Sequence, residues 1–212
     1  MQPLDIGSCL KRGWQTLLAE AATLIGGYLL LLLVLLGTLG LAAEPMAVGY
    51  LRAALRAARG EKVQVGDVFW GFSVFGPALR LAILRLLLVA AGVVLIAVPI
   101  LGAPGGWANG WPRLVWRLGL LWYLVVQFLT AWAGWLMADG QLSARACLRE
   151  SVAILRGDPG RVLAFLLAAE AIGHAGILVR LGSVLTGPLA TAMMAHGYAR
   201  SFPRPDPDRT EL

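Results

Sequence analysis

Residues 21–43 read AATLIGGYLLLLLVLLGTLGLAA, 23 consecutive residues without a charged side chain. About 20 apolar residues are enough for a helix to cross the hydrocarbon core of a bilayer. Lys11 and Arg12 precede the run, as in a secretory leader, but a leader's apolar core is roughly 7–15 residues long. The length therefore makes it a retained span, with cleavage near Ala43 as the alternative. Further along, residues 77–101, 118–138 and 162–179 meet or approach the same length. Two shorter stretches, 45–58 and 184–199, follow turn-like signals at Glu44-Pro45 and Thr186-Gly187-Pro188. Proline is tolerated early in a helix, where its missing N–H has no intrahelical partner, so each short stretch is expected to be the return arm of a hairpin. The expected fold is an all-α integral membrane protein of about six helices: four long spans and two shorter return spans. They form three hairpins with amphipathic cytoplasmic helices. Residues 1–202 make one polytopic membrane domain, and residues 203–212, polar and punctuated by proline, a disordered cytoplasmic tail.

Composition agrees. Hydrophobic residues make up 58% of the chain and charged residues 14%, with a mean hydropathy of +0.74. A water-soluble domain carries about 25% charged residues, so this chain has too few charges to face water on all sides. The net charge of +6 comes from 18 Lys and Arg against 12 Asp and Glu. These basic residues flank apolar runs and do not gather on a polar patch, which points to anionic lipid headgroups and topology and away from nucleic acid. With the N-terminus inside, only Arg113, Arg117 and Arg180 of the 18 face outward, as the positive-inside rule requires. Both termini are then cytoplasmic. Cys9 and Cys147 have no metal-ligand spacing and fall on the reducing side.

The stretch 102–112 holds Gly102, Gly105, Gly106 and Gly110 with Trp107 and Trp111, and reads as an outer turn anchored by indoles in the headgroup zone. Trp14 and Tyr198 are expected inner-interface anchors. An internal repeat is also visible: Cys9-Leu10-Lys11-Arg12 and Cys147-Leu148-Arg149-Glu150 each open a helix leading into a hairpin. The return arms carry Gly49-Tyr50 and Gly197-Tyr198, and Val68-Phe69-Trp70-Gly71-Phe72 marks a third copy. Chance similarity in Leu/Ala-rich sequence is the alternative. Residues 143–156 are amphipathic, with Leu148, Val152 and Leu155 on one face and Arg145, Arg149 and Arg156 on another. Such a helix lies in the interface with its arginines toward phosphates. Arg52, Arg56 and Arg59 repeat the pattern, which makes these six arginines candidate headgroup contacts, plain topology marking being the simpler explanation.

Intramembrane ionisable groups are functional candidates, because an unpaired charge there is expensive. Glu170 and His174 lie four apart on one helix face, and Arg85 is expected at a similar depth. An Arg85–Glu170 pair, extended by His174 to Gln127, would make a proton relay. The alternative is that Arg85 snorkels, Glu170 is paired or protonated and His174 bonds a carbonyl. His196 reads as interfacial. There is no phosphate-binding loop, nucleophile elbow, metalloprotease signature or redox dithiol, so neither a cofactor nor a metal is expected.

Residues 45–52 (PMAVGYLR), 58–62 (ARGEK) and 67–72 (DVFWGF), with 137–140 (MADG), 146–151 (ACLRES) and 156–158 (RGD), resemble the YciC-like bacterial integral membrane proteins. The same pattern is similar to the membrane domain of glycerophosphodiester phosphodiesterases. The resemblance extends from about Leu4 to Phe202. It implies about six helices in the bacterial inner membrane and no established activity. The phosphodiesterase relatives carry catalysis on a separate soluble unit, whose length and acidic metal ligands this chain lacks. The expected function is a non-enzymatic module in envelope or lipid homeostasis, working through anionic lipids or an unidentified protein partner. The rivals are a small transporter or channel and, less supported, an enzyme acting on lipid headgroups.

Overall fold

The computed structural model describes residues 5–38, 40, 42–102, 110–140, 143–176 and 182–202, without the side chains of 95–102 and 110–113. Most of the described residues are helical, with short irregular links such as residues 61–64, and there is no strand among them. The helices are α1 (Ile6–Ala19), α2 (Ala21–Gly37), α3 (Ala43–Ala58), α4 (Phe75–Gly102), α5 (Gly110–Thr130), α6 (Ala133–Ala138), α7 (Ala144–Gly157), α8 (Pro159–Ala175) and α9 (Ser183–Ser201). A 3₁₀ segment, Val65–Val74, runs directly into α4.

Local chemistry sets several boundaries. The side chains of Asp5, Ser143 and Asp158 accept the N–H groups of Ser8, Ala146 and Arg161, satisfying donors that have no partner inside a helix. Gln64 and Asp67 cap the 3₁₀ segment reciprocally. The 21–43 run ends early as a helix. Thr38 donates its hydroxyl to the Val34 carbonyl at 2.7 Å and accepts the Ala42 N–H at 3.2 Å, and Gly40 at φ +87° turns the chain back into α3.

Two helical stretches are long and apolar enough to cross a membrane, Val65–Val94 and Leu114–Ala138. A third counts if α1 and α2, bent by 92°, form one broken span. The expected six spans are therefore not matched. The reason is length and polarity. α3 and α8 have 16 and 17 residues, about 24–26 Å of helix against a core of about 30 Å. α3 also carries Glu44, Arg52 and Arg56, while α9 carries Pro188 and His196 among small and polar residues. α4 matches the expected 77–101 closely. The 118–138 span instead begins at Gly110, so Trp111 and Pro112 are helical and not part of a turn, and it breaks between α5 and α6. Residues 103–109 of the outer turn, and the tail 203–212, lie outside the described residues.

The chain closes on itself in a cycle. α2 pairs with α3, α4 with α5 and α8 with α9, and a surface element precedes each pair. The 3₁₀ segment packs on α3, α7 packs on α6, and α1 packs on α9. α3 touches both α6 and α9, so the last helices of the three units meet at the centre. Their buried Gly-aromatic pairs are Gly49-Tyr50, Gly134-Trp135 and Gly197-Tyr198. Trp132, Trp135, Phe165, Tyr198 and Phe202 stack in the core, with Tyr198 and Phe202 centroids 4.9 Å apart. Tyr198 is thus a core residue and not the interfacial anchor expected of it; Trp14, by contrast, is half exposed.

Candidate functional site

The six arginines expected at headgroups divide into two sets. On α3 and the turn after it, protein groups hold all three. The Arg52 guanidinium lies 3.7 Å above the Trp70 ring, a cation–π contact. Arg56 bonds Glu61 at 2.6 Å and Asp67 at 3.2 Å. Arg59 forks onto Asp139 at 2.6 and 3.0 Å, and the Tyr198 hydroxyl donates to the same carboxylate at 3.3 Å. The last cluster ties the end of α3 to the end of α6 and to α9. The three arginines expected at headgroups on this side are thus engaged by protein groups: Arg56 and Arg59 by carboxylates and Arg52 by the Trp70 ring.

Arg145, Arg149 and Arg156 on α7 differ. They are exposed, and none has an ion pair among the described residues. α7 buries Ala144, Cys147, Ser151, Ile154 and Leu155. Ser151 donates to the Leu129 carbonyl at 2.7 Å and accepts the Trp132 N–H at 3.3 Å, pinning α7 at the α5–α6 break. Of the expected apolar face, Leu155 is buried, while Leu148 and Val152 are half-buried and flank the arginines. Burial pushes the Cys147 thiol up to about 11, so it is a packing residue and not a nucleophile.

The expected intramembrane cluster does not converge. Arg85 bonds Glu44 at 3.3 Å, not Glu170. Glu44 opens α3 while Arg52 to Arg59 close it, so this pair lies toward the opposite end of the bundle. Glu170 pairs within its own helix with His174, Nδ1 to Oε2 at 3.3 Å, and the two side chains are 73% and 67% exposed. Gln127 donates to the Tyr123 hydroxyl at 3.1 Å. Four candidate groups thus occupy three separate places, and among the described residues no chain of contacts joins Arg85 to His174. His196 bridges α1 and α9 through Thr16, with Nε2 2.8 Å from Oγ1. Among the described residues no group of three His, Cys, Asp or Glu is placed to hold a metal.

Sequence reasoning missed Glu44, Asp139 and Ser151. In sequence Glu44 looks like part of a turn with Pro45, although it is an acid at the mouth of an apolar hairpin. Asp139 ends the apolar 118–138 run, where a carboxylate facing a positive belt is the natural ion-pair candidate. Ser151 stands four residues after Cys147 as Gly13 stands four after Cys9, a parallel the repeat already contained.

Fold and site together define a class: a protein whose described residues form helices, two or three of them long and apolar enough to cross a membrane, with an amphipathic surface helix, α7, whose three exposed arginines have no ion pair among the described residues. Comparison with protein-family models, curated proteins and solved structures finds no match to this chain.

Proposed function

We propose that the chain is a non-enzymatic module of the bacterial inner membrane, acting in envelope or lipid homeostasis through contacts with anionic lipid or a partner protein. One observation carries this reading: of the six arginines, the three on α7 are exposed and have no ion pair among the described residues, and they lie beside half-buried Leu148 and Val152. A surface helix with that composition rests in the acyl–headgroup boundary. The likeness to YciC-like proteins, three hairpins with short return arms and an N-in, C-in orientation belong to the same proposal. The test extracts the protein in polymer-bounded bilayer discs and compares the lipids it retains with the bulk membrane by mass spectrometry. Enrichment of anionic phospholipid, or a stoichiometric protein companion confirmed by crosslinking, is expected. Bulk lipid composition with no companion overturns the proposal.

A small transporter or channel is the second reading, and the Arg85–Glu44 pair between α4 and α3 favours it, since charges at intermediate depth mark ion pathways. Dispersal of the other three groups weighs against it. Proton or ion flux in proteoliposomes that disappears in Glu44→Gln would displace the first reading.

A further inference from the structure

We infer that the outer face of α7 binds one anionic phospholipid, its phosphate between Arg149 and Arg156 and one acyl chain along Leu148 and Val152. This rests on the lipid-contact reading above and narrows it to one place and one ligand class. α7 presents an open concavity of about 470 Å³ lined by Leu148, Arg149, Val152, Ala153 and Arg156. The two arginines are seven residues apart, roughly 10 Å along the axis, and with Val152 they fall within about 60° of arc. Two guanidinium groups thus stand at the ends of an apolar floor, each able to lean inward onto a phosphate.

The chemistry selects the occupant. The guanidinium fork matches phosphate oxygens and is weakly hydrated, so it tolerates the edge of an apolar phase. No described carboxylate claims either arginine, and Asp158, the nearest acid beyond Arg156, pairs with Arg161 at 3.4 Å. A soluble phosphate would satisfy the arginines and leave Leu148 and Val152 wetted, whereas a phospholipid satisfies both. α7 also touches α4 and α5, whose exposed leucines include Leu86, Leu87, Leu121 and Leu124. The helices that α7 packs on therefore expose apolar surface of their own.

The full chain in neutral detergent is titrated with short-chain phosphatidylglycerol, short-chain phosphatidylcholine and glycerol 3-phosphate, followed by native mass spectrometry. Phosphatidylglycerol is expected to bind about tenfold or more tightly than either comparator, because phosphatidylcholine adds to the same phosphate a quaternary ammonium that the two guanidinium groups repel, and glycerol 3-phosphate has no acyl chain to cover Leu148 and Val152. Arg149→Gln with Arg156→Gln removes that margin, and Val152→Trp, which fills the floor without touching charge, weakens binding as well. Lys11→Gln, a distant exposed charge, stays within about twofold. Equal binding of phosphatidylglycerol and phosphatidylcholine overturns both this site and the lipid part of the proposed function. A preference that survives the double arginine variant and Val152→Trp overturns the α7 site alone. Glycerol 3-phosphate binding as tightly as the lipid overturns the acyl-chain half and leaves a free anion site.

Discussion

Removing the Asp139 carboxylate tests whether the three units of the fold are tied together at one point. The Arg59 and Asp139 side chains are each 14% exposed and joined by two bonds of 2.6 and 3.0 Å. Breaking a fully buried ion pair costs about 3–5 kcal/mol because one charge is left stranded, whereas an exposed pair contributes about 0–1 kcal/mol. With partial water access, Asp139→Ala is expected to destabilise by about 2–3 kcal/mol, and Arg59→Ala by a similar amount. The double variant is expected to lose little more than either single one, because the second change removes a charge already unpaired; the coupling is then about 1–3 kcal/mol. Tyr198→Phe removes a single 3.3 Å bond and costs about 1 kcal/mol or less. At about 2–4 °C per kcal/mol for a chain of this size, Asp139→Ala lowers the midpoint by roughly 4–12 °C. The assay heats detergent-solubilised protein and measures the monodisperse fraction by size-exclusion chromatography across the four variants. Additive losses from Arg59→Ala and Asp139→Ala would refute the coupling and with it the account of the centre.

Gly71→Ala places a Cβ on the Pro45 carbonyl oxygen and 2.8 Å from the Gly49 nitrogen; since the obstacle is backbone, a loss near the top of the about 1–3 kcal/mol range for overpacking is expected, while Gly76→Ala, which meets nothing within 4 Å, leaves the melting midpoint level or raises it. Cys147 is fully buried and its thiol is pushed up to about 11, so at pH 8 only about one molecule in a thousand carries the reactive thiolate; a polyethylene-glycol maleimide gel shift is expected only after denaturation in detergent, and rapid labelling of the native protein contradicts that burial. Glu170→Gln with His174→Ala alters an exposed pair on one helix and is expected to leave thermal stability within about 0.5 kcal/mol; a large loss measured by the same heating assay would mean that these side chains are covered by something in the assembled protein.

How much of this was legible depends on the range of each interaction. α7 was legible because a Ser143 cap, an i, i+4 apolar pattern and its arginines all lie within fourteen residues. α4 was legible because apolar length needs no partner. The break at Ala131-Trp132 was not: no glycine or proline marks it, and the Trp132 N–H leaves its helix for the Ser151 hydroxyl, nineteen residues away. Pairing across the bundle was not legible either. Depth alone made Glu170 as good a partner for Arg85 as Glu44, and helix packing decides between them: α4 lies against α3, whereas α8 packs on α9 and turns Glu170 outward. Counting spans from hydropathy overshot for a related reason. α3, α8 and α9 are apolar enough to look like spans, but much of that character serves contacts with one another around the centre.

The internal repeat has a structural meaning that its sequence signature obscures. Gly-aromatic pairs occur in two roles here. In Gly49-Tyr50, Gly134-Trp135 and Gly197-Tyr198 the aromatic is buried, whereas in Gly13-Trp14 and Gly71-Phe72 it is exposed and the glycine does the docking. The Gly71 docking point is Pro45, four residues before Gly49; the Gly13 docking point is Met193, whose nitrogen lies 2.8 Å from where a Cβ would sit, four before Gly197. In the third unit Ser151 takes that place, bonding Leu129 and Trp132 on either side of Thr130, four before Gly134. Two surface elements thus seat at the same register on their central helices, and the third seats within two residues of it. The cycle has one seam, where α1 meets α9 through Gly13, Thr16–His196 and an Arg200–Ser8 bond of 2.6 Å. Those partners stand at opposite ends of the chain, so α1 cannot seat until α9 exists, and closing that long loop carries an entropic penalty. Gly13→Leu is therefore expected to release α1 while the Asp139 centre stays intact, giving early protease cleavage near Glu20 with the heat-resistant fraction largely kept. Cleavage distributed along the whole chain would show instead that the seam and the centre fold as one unit.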